Sequence, residues 1–153
     1  MKFENILTIK TLYAIPFKED TNKPKVYTLI VKSINKRYYL GNNTYTLNVL
    51  FPNGETRYLI IYDGYVNNPE GDNISKPFIN HFFKNPGWKV DSSDIEDYTD
   101  YLIFDNHDIL IDEYVNLLNQ RNEEIKIQTN ELFKELNINI DRIVYVKKQK
   151  YDQ

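Results

Sequence analysis

Between Asp91 and Glu113 the chain carries nine carboxylates and no lysine or arginine: Asp91, Asp94, Glu96, Asp97, Asp100, Asp105, Asp108, Asp112 and Glu113. The formal charge is +5 over residues 1–90, −9 over 91–113 and +1 over 114–153, against −3 for the whole chain. The plain reading is a solvated acidic loop whose last members favour a helix N-terminus. The sharper reading is an acidic face, Asp91, Asp94, Glu96, Asp97 and Asp100, that attracts a basic, nucleic-acid-handling protein.

Asp105-Asn106-His107-Asp108 packs four oxygen or nitrogen donors into four residues, a set that suits Mg²⁺ or Ca²⁺. The spacing fits no EF-hand loop, so helix capping by Asp105, Asn106 or Asp108 is the preferred reading and no metal site is expected. Glu124-Ile125-Lys126 has the E-x-K spacing of one nuclease family, yet it falls where a helix is expected, which aims the two side chains apart. His81, His107 and four serines lack any nucleophile-elbow motif. The five glycines are scattered, so no phosphate-cradling loop is expected, and neither is a cofactor. A small metal-dependent hydrolase centred on Asp105 to Asp108 therefore ranks behind non-enzymatic readings.

Lys25, Tyr27, Lys36, Arg37, Tyr38 and Tyr39 interleave cations with aromatic rings, the composition of a single-strand nucleic-acid groove. Asn, Ile, Lys and Tyr together make up 65 of 153 residues, and all four have A/T-rich codons, so genome composition accounts for much of this pattern. A pI near 5.4 also argues against a dedicated nucleic-acid binder. Trp88, the only tryptophan, follows Pro86-Gly87 and is a candidate interface anchor.

The elements that must position these residues follow from patterning. Five strands are predicted, at about 6–15, 25–32, 37–40, 45–51 and 57–62, separated by turn residues such as Pro52-Asn53-Gly54. Short links make them an antiparallel meander. Residues 63–73 read as a loop and 75–84 as a short helix with Pro77 in its first turn. Tyr101 to Phe104 reads as a buried strand. From Asp108 to Leu136 apolar residues recur at helical spacing, with Leu118, Ile125 and Leu132 expected to be buried against the sheet. Asn137 is expected to close that helix, and residues 138–147 to form a last strand. The fold class is α+β, a meander packed on a long amphipathic helix, in a single domain over 1–153.

The absence of cysteine excludes disulfides and thiolate zinc sites. No apolar run approaches the roughly 20 residues of a membrane span, and Met1-Lys2-Phe3-Glu4 lacks a signal core. The expectation is a cytoplasmic protein of a bacterium or a phage-infected host, with no membrane partner and with self-association left open. Its expected function is non-enzymatic protein–protein interaction, in the manner of a phage-encoded inhibitor or virion component. Asp91, Asp94, Glu96, Asp97, Asp100 and Trp88 are the expected contact residues, and the nucleic-acid module is the principal alternative.

Overall fold

The computed structural model describes residues 6–17, 23–39, 42–62, 76–90 and 99–151. The chain divides into two compact units, Met1–Tyr114 and Val115–Gln153. Among its described residues the first holds seven antiparallel strands, β1 (Thr11–Pro16), β2 (Tyr27–Tyr39), β3 (Asn42–Leu50), β4 (Thr56–Tyr62), β5 (Phe78–Asn80), β6 (Phe82–Phe83) and β7 (Tyr101–Phe104), in the order β5-β7-β1-β2-β3-β4-β6. The helix α1 (His107–Tyr151) follows β7. The class is α+β, as the patterning implies. No helix among the described residues is long and apolar enough to cross a membrane.

The meander β1 to β4 forms where β-branched and aromatic residues alternate with polar ones, and each reversal has a local cause. Gly54 adopts φ 87°, a conformation that only glycine takes without strain. Asn53 Oδ1 beside it accepts the Glu55 N–H at 3.0 Å, closing the β3–β4 turn. Two strands were expected at 25–32 and 37–40, and a single strand of 13 residues, β2, is found instead. Ser33-Ile34-Asn35 does not turn the chain, because the register slips between Val31 and Ser33. That bulge absorbs one residue and bends the strand without ending it.

A further correction falls at 75–84. Phe78–Asn80 pairs with β7, and Phe82–Phe83 pairs with β4, so the described part of this segment is extended and not helical. β5 and β6 lie at opposite ends of the strand order, yet only His81 separates them in the chain. Three consecutive Cα atoms span at most about 7–8 Å. The two edges of the sheet must therefore meet, and residues 78–83 close it into a small antiparallel barrel with no long free edge. Asn80 Nδ2 donates to the Ile60 carbonyl at 3.0 Å across this closure.

Strand alternation sends Leu12, Ala14, Leu29, Tyr45, Leu47, Val49, Leu59, Ile61 and Ile103 to one face, where all are 0–1% exposed. That face is the barrel interior. Tyr27, Phe51, Phe82 and Tyr101 plug one part of it, with ring centroids 5.0–6.4 Å apart in edge-on or tilted contacts. On the outer face Ile15, Leu102 and Phe104 are buried, and the start of α1 contributes the fully buried Leu110. His107 meets Tyr13 and Tyr114 meets Phe17 in T-shaped contacts at 5.4 and 6.3 Å.

The expectation that Leu118, Ile125 and Leu132 are buried against the sheet is overturned. They are 41%, 44% and 66% exposed. Past Val115 no described residue of α1 is buried. Asn137 does not end the helix, and residues 138–147 are helical, not a strand. No glycine or proline follows Gly87 to break it, and β-branched residues lower helix propensity by only about 0.7 kcal/mol at most.

His81, at the closure, lies 4.0 Å from an Asp100 carboxylate oxygen and packs against Phe83 at 4.6 Å between centroids. Burial lowers its pKa below the ordinary histidine value, with the Asp100 charge opposing this in part. The unfolded chain then binds the proton more readily than the fold does, so the neutral form's stabilisation is complete above the ordinary value of 6.5 and is lost as pH falls through the lowered one. Urea midpoints are expected to decline from pH 7.5 to 5.5, and His81→Gln should flatten that slope. A wild-type midpoint that rises on acidification would refute the assignment.

Candidate functional site

The outer face of β2, β3 and β4 carries the polar alternates of the core residues. Thr44 and Thr46 on β3 point outward, alternating with the inward Tyr45 and Leu47, opposite Arg37 and Asn35 of β2 and Tyr62 and Ile60 of β4. The segment after β6 returns over this face at Gly87. A Cβ at Gly87 would stand 3.0 Å from Thr46 Oγ1 and 3.5 Å from Ile60 Cδ1, so any side chain here would require Thr46 to give by a few tenths of an ångström.

Gly87 places Trp88 beside β2, where the Arg37 guanidinium lies over the indole at 4.7 Å. A cleft of about 550 Å³ opens there, lined by Arg37, Tyr38, Thr44, Thr46, Ile60, Tyr62, Gly87 and Trp88. Trp88, Tyr38 and Tyr62 are 49%, 74% and 52% exposed. A shallower depression adjoins it, formed by Asn35, Lys36, Arg37 and Trp88. Lys36 Nζ lies 5.9 Å from the ring of Tyr45. Among the described residues no carboxylate pairs with Arg37. Thr46 is 2% exposed, and its Oγ1 has no hydrogen-bond partner. The cleft therefore offers one fixed cation, three accessible rings and an unsatisfied buried hydroxyl.

Two sets of sequence candidates converge here. Trp88, expected as a protein anchor, and Arg37, Tyr38 and Lys36, expected as nucleic-acid contacts, lie together. Lys25 precedes β2 and is exposed, while Tyr27 is taken up in the aromatic plug with Phe51 and Tyr101. The side chain of Tyr39 lies outside the described residues, as do Asp91, Asp94, Glu96 and Asp97. Asp100 is half-buried, and its carbonyl accepts the Phe17 N–H at 2.9 Å. Thr44, Thr46, Ile60, Tyr62 and Gly87 were not singled out from the sequence. The outward Thr44–Thr46 pair alternating with buried Tyr45 and Leu47 was the available signal.

The Asp105 to Asp108 segment starts α1. Asn106 Oδ1 accepts the Ile109 N–H at 3.1 Å, a cap of the expected kind. His107 Nδ1 and Asp108 Oδ1 are 3.1 Å apart on the surface. Glu124 and Lys126 each pair within the helix with another residue, Arg121 and Glu123, both at 3.2 Å. Among the described residues no group of three or more His, Asp or Glu side chains is placed to hold a metal ion. No family model, no curated protein and no solved structure matches this chain, so the cleft is interpreted from its own chemistry.

Proposed function

We propose that this protein is a non-enzymatic protein-recognition module whose contact site is the Arg37–Trp88 cleft. The observation that carries the reading is the convergence of Trp88, Arg37, Tyr38 and Tyr62 at one exposed cleft, since Trp, Tyr and Arg are the residue types that dominate interface energetics. The rings have few rotatable bonds, and the Arg37–Trp88 stack holds two of the anchors in place before binding. A partner side chain that is planar or anionic would satisfy Arg37, and a donor or acceptor reaching Thr46 would relieve the unpartnered hydroxyl.

The acidic run from Asp91 to Asp100 is proposed as a separate, charge-steering part of the contact, acting on a basic partner. Nucleic acid is the second reading, favoured by Lys36 and Arg37 beside exposed rings. It is weakened by Tyr27 and Lys25 lying elsewhere, because single strands need a groove that tracks roughly 4–16 nucleotides. A role as inhibitor or virion component would be one setting for such a module.

The test compares proteins retained from bacterial lysate by immobilised wild type, Trp88→Ala, Arg37→Ala and the triple reversal Asp94→Lys, Asp97→Lys, Asp100→Lys. Trp88→Ala should weaken the retained partner more than tenfold, about 1.4 kcal/mol or greater, as expected for an anchor. The triple reversal should slow association and leave dissociation nearly unchanged. Equal retention by wild type and Trp88→Ala would reject the cleft. Saturable quenching of the single tryptophan by a single-stranded oligonucleotide, lost in Arg37→Ala, would replace this reading with the nucleic-acid one.

A further inference from the structure

We infer that α1 pairs through its Val115 to Val146 face with the same helix of a second copy of this chain, antiparallel, as a two-stranded coiled coil. Helices in proteins are stabilised mainly by packing an apolar face, and past Val115 no described residue of α1 is buried. Here that face is present and uncovered. Val115, Leu118, Asn122, Ile125, Thr129, Leu132, Leu136, Asn139, Ile143 and Val146 alternate spacings of three and four, the 3.5-residue repeat of coiled-coil a and d positions. The seven apolar members are 41–66% exposed.

The pattern also identifies the occupant. Read from either end, four of the five layers match in polarity: Val115 with Val146, Leu118 with Ile143, Asn122 with Asn139, and Ile125 with Leu136. Thr129 meets Leu132 at the centre. An antiparallel second copy related by a two-fold axis between Thr129 and Leu132 therefore sets apolar residues against apolar residues outside the centre and Asn122 against Asn139, twice over. No other partner is guaranteed to place an asparagine at both heights.

Flanking charge repels less in this direction than in the parallel one. In a parallel, in-register pair Arg121 would face Lys126 of the second copy and Arg142 would face Lys147, each contact occurring twice. Antiparallel pairing removes both and leaves Arg121 against Arg142, with Arg121 already held by Glu124 at 3.2 Å. The area is sufficient as well. Each apolar seam side chain, half-exposed now, would lose roughly 60–100 Å². Both copies together bury on the order of 1,000 Å² before Phe133 and Ile140 at the margins are counted, near the lower bound for a specific interface.

The test uses the full chain. Sedimentation equilibrium should give twice the 18.3 kDa of one chain. The double variant Leu118→Glu, Leu136→Glu should run as one chain and lose much of its far-ultraviolet helical signal, while Trp88 fluorescence reports an intact barrel. Ile127→Glu, exposed but off the seam, should remain paired. Because the protein has no cysteine, Val115→Cys and Val146→Cys variants give a clean reading of direction. Each alone should fail to cross-link under oxidation, and their mixture should cross-link. A wild type that sediments as one chain at all concentrations, pairing that survives the double variant, or self-cross-linking of each cysteine variant alone would overturn the inference.

Discussion

Leu47→Ala is expected to destabilise the barrel by ~2–5 kcal/mol, and Leu118→Ala to change it by no more than ~0.5 kcal/mol, when both are followed at Trp88. Leu47 is fully buried on the inner face of β3, paired to Ile34 on one side and Leu59 on the other. Removing its isobutyl group leaves a cavity that neighbouring strands cannot close without breaking the ladders that fix their spacing. Leu118 belongs to the second unit and is 41% exposed, so its truncation removes far less buried surface than that of Leu47. Urea denaturation at a fixed low concentration provides the comparison. Similar losses for the two variants at Trp88 would mean that the barrel leans on the helix seam, contrary to the burial pattern.

The same contrast explains what the sequence could and could not convey. β1, β3 and β4 were legible because Leu12, Ala14, Tyr45, Leu47, Val49, Leu59 and Ile61 occupy alternate positions between recognisable turns. Amphipathicity over 108–136 was legible too, but periodicity states only that a face is apolar, not what covers it. Closure depends on six residues, 78–83, in which one short segment serves both edges, and nothing in Phe-Ile-Asn-His-Phe-Phe distinguishes that from an ordinary strand or a short helix. Ile138-Asn139-Ile140 imitates strand alternation. Its helical state is set by the absence of any breaker, a weaker signal than the alternation itself.

For the candidate site, the sequence supplied residues but not their meeting. Arg37 and Trp88 are singled out for different reasons and are far apart in the chain. They come together only because β2 runs unbroken through its bulge to Tyr39 and because Gly87 lets the loop settle on Thr46. If the helices pair, two clefts are carried on one assembly. A partner with repeated or paired epitopes would then bind with an avidity that depends on whether both clefts can be engaged at once, so a variant that only unpairs the seam would weaken binding without altering either cleft.

The sharpest expected result concerns the two asparagines. In an antiparallel pair Asn122 faces Asn139, so Asn122→Leu leaves the Asn139 amide of the second copy opposite a leucine in both such layers. A buried polar group deprived of its partner costs ~1–3 kcal/mol, and the pair contains two of them. Association should therefore weaken, although leucine is the more apolar residue. The double variant Asn122→Leu, Asn139→Leu removes both partners of each layer and should associate more tightly than wild type. It should also lose fidelity of alignment, because paired asparagines are what penalise a shifted register. In a parallel pair Asn122 would face itself, and the single variant would already replace both members of its layer and stabilise the assembly. Sedimentation equilibrium of the wild type, the two single variants and the double variant separates these cases by sign alone. Single substitutions that tighten association would exclude the antiparallel seam, whereas weakening by each single variant with recovery beyond wild type in the double one is the pattern that only the Asn122–Asn139 layers produce.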